Sequence, residues 1–224
     1  MTKADLYTAV AACRAQYFSS PTHDLLSIQR ACQTRLGLTV ESGAPFKTPG
    51  LRGVAFINSN LICIDAKLSP ERRRFYCAHE AYHFIFHANH FQRFNCFDEG
   101  HPTQNDYLEW QANEAAAETL IPYHLLLLQV QAGAPHIHNG RHFHAFLKES
   151  AQHYGVTLTM VRTRLNSLKY EIVQLLAGTA IDNIRLLSDT QQLREGIHVK
   201  SLNQIYTDAH VQYPLAQLGL TLSA

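Results

Sequence analysis

The stretch FYCAHEAYHFIFHANH, residues 75–90, constrains this chain more than any other segment. It contains His79-Glu80-Ala81-Tyr82-His83, in which two histidines lie four residues apart. On an α-helix these two imidazoles occupy one face, one turn apart, where they can bind the same metal ion. Glu80 is rotated by about 100° from His79, so it borders that face without being forced to coordinate. The pattern therefore indicates a metal centre with a general base beside it.

Zinc is the ion that this pattern predicts, because it lowers the pKa of bound water to about 7 and Glu80 can then take the proton. The alternative is a solvent-exposed helix that matches this short pattern by chance. The flanking apolar segments FYCA and FIF favour a buried helix instead. A buried His-Glu-His cluster without a ligand would leave polar groups unpaired at a high free-energy cost.

A catalytic zinc site needs a third protein ligand and one open position. The helix predicted over residues 107–121, YLEWQANEAAAETLI, offers Glu109, Glu114 and Glu118. Glu109 shares a face with Asn113, whereas Glu114 and Glu118 share another face that is more easily explained as solvated. Spacing alone leaves all three carboxylates open as ligands.

Both helices resemble the ImmA/IrrE family of metallopeptidases. That family carries R-F-T-x-A-H-E-x-x-H and then E-x-x-A-N-x-F-A-x-x-L-L-M-P, and this sequence reads RRRFYCAHEAYH and EWQANEAAAETLIP. Aligning Asn113 and Pro122 with the family pattern places Glu109 at the third zinc ligand. The resemblance covers roughly residues 20–170, including the segments GVAFINSNLICIDAKLSPERRRF and AQHYGVTLTMVRTRLNSL. The elements predicted along the chain give an α+β fold with a small β-sheet and a predominantly helical remainder, and the resemblance implies a zincin-like metallopeptidase core.

The resemblance also implies an activity, a cofactor and a partner. The chain would be a zinc-dependent endopeptidase with Zn2+ on His79, His83 and Glu109, and with Glu80 as the catalytic base. Proteins of this family cleave helix-turn-helix transcriptional repressors in mobile elements or stress responses, so one such repressor is the implied substrate. The alternative is a non-proteolytic, metal-containing anti-repressor that sequesters a repressor. The intact Glu80 argues against it, because a structural site needs no base.

The sequence departs from the family pattern at four positions near the two motifs. Tyr82 stands where the family usually has Gly, and Ala115 replaces Phe. Thr119 and Ile121 replace Leu and Met. None of these changes removes a ligand, but Tyr82 directly precedes the second histidine and is expected to alter packing or access there.

The remaining chain is organised around these two helices. Residues 1–170 are predicted to form the metallopeptidase domain, and residues 171–224 a mostly helical extension that docks substrate or regulates. The strand pair near residues 53–65 is a candidate for aligning a substrate strand by edge pairing. The local patterns predict helices at 4–18, 23–36, from Ser69-Pro70 to Ala88, 107–121, 123–132, 142–154 and 158–177, a hairpin in GVAFINSNLICID, and a loop at 91–106.

Composition limits the partners and the compartment. The formal net charge of +1 gives no broad basic surface, and the helix-turn-helix-like pair at residues 148–168 is predicted to have an exposed face with only Arg162, Arg164 and Lys169 as cations. Direct DNA binding by this pair is therefore not expected. Five scattered cysteines indicate reduced thiols, and no apolar run approaches the roughly 20 residues of a membrane span. The N-terminal residues show no signal peptide. We therefore expect a cytoplasmic protein with no membrane contact.

Several other residues are predicted to be bystanders. His87 and His90 follow the motif, but a fourth protein ligand would fill the open position, so a core or rim role is preferred for His87. Cys77 points away from His79 on the same helix and is predicted to be core. The histidine-rich segment at residues 136–144 is interpreted as a solvated loop and helix start.

Overall fold

A computed structural model describes residues 1–18, 25–98 and 105–200. Within these ranges the chain forms helices and one four-stranded sheet, which confirms the predicted α+β class. The α-helices are α1 (Lys3–Tyr17), α2 (Leu25–Arg35), α3 (Pro70–His87), α4 (Asp106–Leu120), α5 (Tyr123–Gly133), α6 (Gly140–Tyr154), α7 (Leu158–Ser167), α8 (Lys169–Leu176) and α9 (Asp189–Arg194). The strands are β1 (Thr39–Ala44), β2 (Leu51–Phe56), β3 (Leu61–Asp65) and β4 (Arg93–Phe97).

The chain divides into two compact units. One comprises Tyr7–Leu120 and contains the sheet together with α2, α3 and α4. The other comprises Met1–Leu6 and the described chain from residue 121 onward, and it is helical. Among the described helices, none combines the length and the apolar character that crossing a membrane requires. The functional division between residues 1–170 and 171–224 stays a prediction.

The sheet has the strand order β1-β3-β2-β4. β1 runs parallel to β3, whereas β2 runs antiparallel to both of its neighbours, β3 and β4. The predicted hairpin corresponds to β2 and β3, and Asn60 between them adopts a left-handed conformation with φ 48°. Both hairpin strands are interior to the sheet, so the prediction that this pair offers a free edge to a substrate is wrong.

Strand β4 lies within residues 91–106, for which the sequence predicts a loop, and that prediction is wrong over Arg93–Phe97. Phe94 and Cys96 are buried while Arg93 is exposed, so the strand does alternate, but over only five residues. Antiparallel pairing with β2 stabilises it. Such pairing depends on a segment distant in sequence, which local periodicity does not reveal. Residues 99–104 lie outside the described residues.

Helix α3 begins and ends where the sequence predicts. The side chain of Ser69 accepts a hydrogen bond from the backbone N–H of Arg72, and Pro70 occupies the first turn. This cap satisfies one of the N–H groups that a helix start leaves without a partner. The helix ends at His87, and residues 76–83 are buried throughout, so its middle turns lie in the interior.

The helical unit differs from the sequence prediction in two places. The helix predicted over residues 158–177 is broken into α7 and α8 at Leu168, next to Ser167. The hydroxyl of Ser167 donates to the carbonyl oxygen of Arg164 at 3.0 Å, a side-chain bond of the kind that bends helices. Beyond α8, only a 3-10 turn at Ile181–Asn183 and the short α9 are helical up to residue 200. Residues 201–224 of the predicted helical extension lie outside the described residues.

The helix-turn-helix-like pair consists of α6 and α7, joined at Gly155 in a left-handed conformation with φ 59°. Arg164, which the sequence places on an exposed basic face, is only 1% exposed. Its Nε donates to the carbonyl oxygen of Ile121 at 3.1 Å. Lys169, a second cation of that face, pairs with Asp189 at 2.9 Å. Because Arg164 and Lys169 contact these partners within the protein, they are less available to bind DNA phosphates.

A buried ion pair joins the first turn of α1 to α8. Nζ of Lys3 lies 2.8 Å from Oε1 of Glu171, and the two side chains are 2% and 0% exposed. Lys3 also donates to the carbonyl oxygen of Ser167 at 2.7 Å, and the N–H of Leu187 donates to Glu171 at 3.1 Å. Burial raises the pKa of Glu171, and the Lys3 cation acts in the opposite direction.

We expect Lys3→Met to lower the free energy of unfolding by about 3 kcal/mol at neutral pH, because it leaves Glu171 buried without its cation. In the variant the folded-state pKa of Glu171 lies further above its unfolded value. The penalty is therefore present above the unfolded pKa and should shrink as the pH falls towards about 4. Urea unfolding at neutral and acidic pH measures this difference.

The double variant Lys3→Met/Glu171→Leu is the matched control, because it removes both charges and should recover most of the lost stability. A loss of the same size at both pH values, or a double variant no more stable than the single one, would contradict this account.

Candidate metal centre

Helix α3 directs two histidines and a glutamate into the interior of the unit Tyr7–Leu120. His79, Glu80 and His83 are all 0% exposed. The Nε2 atoms of His79 and His83 lie 3.0 Å apart. This is the convergence that two histidines one helical turn apart can achieve when both side chains lean to the same side. The structure thus brings the two histidines of the motif to one point.

Glu109 on α4 faces the two histidines. Its Oε2 lies 3.3 Å from Nε2 of His79, and its Oε1 lies 3.5 Å from Nε2 of His83. One donor atom from each of the three residues falls within 4.8 Å of the others. The carboxylate of Glu114, which spacing left open as a ligand, instead accepts a hydrogen bond from the Tyr7 hydroxyl at 2.6 Å. Within the described residues, neither Glu114 nor Glu118 joins this cluster.

Asn113 determines which nitrogen of His79 faces Glu109. Oδ1 of Asn113 lies 3.0 Å from Nδ1 of His79. An amide oxygen can only accept, so His79 donates from Nδ1, and a neutral imidazole then carries a lone pair on Nε2. That nitrogen faces the carboxylate of Glu109, which is also an acceptor. Two acceptors this close repel each other unless a cation or a proton lies between them.

The ring of His83 is held from two sides. It stacks on Phe94 of β4, with ring centroids 4.1 Å apart and an interplanar angle of 16°. Its Nδ1 lies 3.0 Å from Nδ1 of His87. Burial lowers the pKa of His83 well below its ordinary value, and the imidazoles of His79 and His87 lower it further. The neutral imidazole, which is the form that binds metals, is therefore favoured.

Glu80 is the buried polar residue of this cluster whose side chain has no hydrogen-bond partner in the described part of the chain. Neither of its carboxylate oxygens is hydrogen-bonded to any residue that the structure describes. Burial raises the pKa of Glu80 well above its ordinary value, and the charge of Glu109 raises it further. A nearby cation would favour the ionised carboxylate, since opposite charges act against desolvation. The unpartnered carboxylate is thus an observation that fits a metal ion at His79, His83 and Glu109.

Gly53 of β2 provides the space that Glu80 occupies. A Cβ atom at Gly53 would lie 2.2 Å from Oε1 and 3.0 Å from Cδ of Glu80, closer than side chains approach. Gly53 is paired in register with Cys96 of β4. Both residues therefore lie beside the Glu80 carboxylate, and the sheet forms one wall of the site.

Cys96 adds a second group of possible ligands, because its Sγ lies within 4.8 Å of donor atoms of His79 and Glu80. Burial raises the pKa of the Cys96 thiol, and the nearby carboxylates of Glu80 and Glu109 raise it further. The thiolate, which is the ligating form, is thus disfavoured. The set His79, His83 and Glu109 is the stronger candidate, because two imidazoles and one carboxylate are a donor set of catalytic zinc sites.

Tyr82 points into the core instead of the metal centre. It is 0% exposed, and its hydroxyl lies 2.6 Å from Oγ1 of Thr119. Its ring stacks on Phe86 with centroids 5.2 Å apart. Tyr82 and Thr119 are two of the four departures from the family pattern, and they are hydrogen-bonded to each other. The expected disturbance of the site by Tyr82 is therefore met by a compensating change on α4.

Among the described residues, His87, His90 and Cys77 lie outside the cluster. His87 is 1% exposed and hydrogen-bonds through both ring nitrogens, whereas His90 is exposed beyond the end of α3. Cys77 is buried with its Sγ 4.0 Å from that of Cys32, as predicted for a core thiol. Within the described residues, no histidine of the segment 136–144 belongs to a group with metal-binding distances.

The sequence analysis did not identify four contributors to the site, which are Gly53, Phe94 and Cys96 on the sheet and Gln111 on α4, whose Oε1 lies 3.0 Å from Nε2 of His87. Gly53 had a usable signal, because a glycine inside a strand often marks a close approach of another group. Phe94 and Cys96 had none, since their strand was not predicted. Gln111 was hidden because its partner, His87, lies on a different helix, and local spacing does not show such contacts.

Comparison with known proteins finds a family model that spans the candidate metal centre. The model of the Peptidase_M78 family, described as the IrrE N-terminal-like domain, matches residues 33–166. Among solved structures, a Mycobacterium tuberculosis transcriptional regulator is similar, with 15% sequence identity and a TM-score of 0.49. That match covers 74% of this chain and 47% of the regulator, so it spans about half of the regulator's length. No match is found among curated proteins.

We expect Gly53→Ala to lower the free energy of unfolding by about 1–3 kcal/mol, because the added Cβ overlaps the Glu80 carboxylate. In a Glu80→Ala background the overlapping atoms are gone, and the same substitution should cost much less. Chemical unfolding of the four proteins in this cycle gives the coupling free energy.

Gly43→Ala on β1 is the matched control, since its Cβ would meet only Oε1 of Glu41 at an ordinary 3.4 Å. Equal losses for Gly53→Ala in both backgrounds would show that the Glu80 carboxylate does not depend on Gly53.

Proposed function

Because the chain belongs to the Peptidase_M78 family of IrrE N-terminal-like domains, we propose that it is a zinc-dependent endopeptidase that cleaves a helix-turn-helix transcriptional repressor. The family gives a metallopeptidase-like domain over residues 33–166, which include every residue of the candidate metal centre. We propose three things beyond the family: zinc as the metal, cleavage of a peptide bond, and a repressor as the substrate.

The observation that carries this proposal is the position of Glu80. Its carboxylate is buried and unpartnered among the described residues, directly beside the donor atoms of His79 and Cys96. Burying such a group is unfavourable, and a purely structural metal site has no use for it. A general base for hydrolysis does require an acceptor that is free to take a proton at the metal.

His79, His83 and Glu109 would hold the zinc ion, with Asn113 orienting His79 through Nδ1. When bound, zinc supplies a Lewis acid that lowers the pKa of water and polarises a peptide carbonyl. The low pKa of His83 favours its neutral, ligating form at the pH of the cell.

Glu80 would carry the proton through the reaction. Its carboxylate accepts a proton from the attacking water as the new C–O bond forms at the peptide carbonyl carbon. The same carboxyl group then donates that proton to the peptide nitrogen as the C–N bond breaks. The products are a carboxylic acid and an amine, which then exchange the remaining proton with solvent, and Glu80 returns to its starting charge. Gly53 leaves the space that this carboxylate needs.

Strand β4 is the element we assign to substrate alignment. Within the described residues β4 pairs only with β2, so its other edge is available for an extended peptide. Phe94 and Cys96 of this strand lie against the metal centre, which brings a peptide paired at β4 close to Glu80. Main-chain pairing at a sheet edge gives affinity with little dependence on sequence. Selectivity for one repressor would then come from elsewhere, and residues 171–224 are the segment we propose for docking.

Cleavage is tested by mixing the zinc-loaded protein with a panel of purified helix-turn-helix repressors and looking for a discrete fragment. We expect one repressor to be cut, and Glu80→Gln to slow its cleavage by at least about 100-fold, because the proton acceptor is lost. Cys96→Ser is the matched control beside the same carboxylate and should still cut. A repressor that binds stably and is never cut would support the non-proteolytic anti-repressor instead.

The metal ligands are tested by zinc affinity, measured in competition with a chromophoric chelator. Glu109→Ala should weaken zinc binding by more than about 100-fold, since it removes a direct ligand and not an outer partner. Glu114→Ala on the same helix should bind zinc like the unmodified protein. If Cys96→Ser weakens binding and Glu109→Ala does not, the ligand set is His79, Glu80 and Cys96.

A further inference from the structure

We propose that His87 and Gln111 are positioning residues that fix the tautomer of His83, so that its Nε2 carries a lone pair towards the metal centre. The inference rests on the proposed function, because it takes His83 to be a metal ligand through Nε2. It gives a role to a histidine that the sequence analysis left as a bystander.

The hydrogen bonds form an unbroken chain from the metal centre to Tyr107. Nδ1 of His83 lies 3.0 Å from Nδ1 of His87, and Nε2 of His87 lies 3.0 Å from Oε1 of Gln111. The amide nitrogen of Gln111 then donates to the hydroxyl oxygen of Tyr107 at 3.3 Å. His87 is 1% exposed and Gln111 is 5% exposed, so water does not compete at the middle of the chain.

The direction of the chain follows from the amide group of Gln111. Its oxygen faces His87 and can only accept, and its nitrogen donates to the hydroxyl of Tyr107. His87 must therefore donate from Nε2, which leaves Nδ1 of a neutral imidazole as an acceptor. His83 must then donate from Nδ1 to His87. A neutral His83 has no second proton, so its Nε2 carries the lone pair that a metal ion needs.

This arrangement excludes His87 as a ligand and explains its burial. Both of its ring nitrogens are used, one towards His83 and one towards Gln111. A buried polar side chain with one lost partner would cost about 1–3 kcal/mol, so a histidine here is retained only if both contacts are made. His87 contacts the edge of the His83 ring at Nδ1, while Phe94 stacks on its face.

Helix α4 thus serves both histidine ligands. Asn113 accepts from Nδ1 of His79 directly, whereas Gln111 acts on His83 through the imidazole of His87. Glu109, on the same helix, faces the Nε2 atoms of both. His79 is therefore oriented by one side chain of α4, whereas His83 is oriented by two side chains in series. The second arrangement contains an additional titratable ring, that of His87.

The tautomer of His83 is measured directly in the metal-free protein by long-range proton–nitrogen NMR on 15N-histidine samples at mildly alkaline pH. We expect His83 protonated at Nδ1 and His87 protonated at Nε2. Observing His83 protonated at Nε2 would overturn the proposal, and this measurement needs neither zinc nor a substrate nor a variant.

The effect on metal binding is measured as zinc affinity for three variants. His87→Leu removes the acceptor and should weaken zinc binding by about 10–100-fold, the range for loss of an outer partner. His87→Asn places an amide oxygen near the position of Nδ1 and should restore affinity to within a few-fold. His90→Leu, an exposed histidine beyond the same helix, is the control and should leave affinity unchanged.

These outcomes separate this inference from the proposed function. Unmodified protein that fails to bind zinc refutes the metal centre, while the NMR result still decides the tautomer. Zinc affinity that is unchanged in folded His87→Leu, or lowered equally in His87→Leu and His87→Asn, overturns the positioning role. If His87→Leu does not fold, the tautomer of His83 and the affinity of His87→Asn decide the question.

Discussion

Helix α3 can bury three histidines because side chains of α4 contact each of them. His79 meets Asn113 and Glu109, His83 meets Glu109, and His87 meets Gln111. Each unmade contact at such a depth would cost about 1–3 kcal/mol, which is a large part of the total stability of a domain. The pairing of these two helices is therefore the condition on which the buried site depends, and the sheet adds the wall that closes it.

Glu80 has no hydrogen-bond partner among the described residues, and its neighbours leave space for its carboxylate. Gly53 has no side chain where a Cβ would strike the carboxylate, and its register partner Cys96 is small. A residue that violates the rule of buried hydrogen bonding, with space kept for it by its neighbours, is typical of functional sites and not of structural cores. The Glu80 carboxylate thus has no hydrogen-bond partner among the described residues, whereas the Nδ1 atoms of His79 and His83 both have one.

The sequence predicted the parts of the site that lie on one helix and left out those that depend on contacts between elements. Ser69 and Pro70 defined the start of α3, and the four-residue spacing correctly predicted that His79 and His83 converge. Glu109 was selected by family resemblance, because helical spacing alone allows Glu114 and Glu118 as the third ligand equally well. Strand β4 was missed because its five residues are stabilised by pairing with β2, which lies far away in sequence.

The prediction for His87 shows the limit of reasoning from a single helix. The need for an open coordination position argued against His87 as a ligand, but it gave no information about the contact to Gln111 on α4. The same limit applies to Tyr82, which is expected from the sequence to alter packing or access at the site because it directly precedes His83. Its hydroxyl contacts Thr119, so the two departures from the family pattern meet in the core and leave the metal-facing side unchanged. A residue next to a ligand in the sequence is rotated from it by about 100° around the helix axis. This rotation decides which groups its side chain contacts.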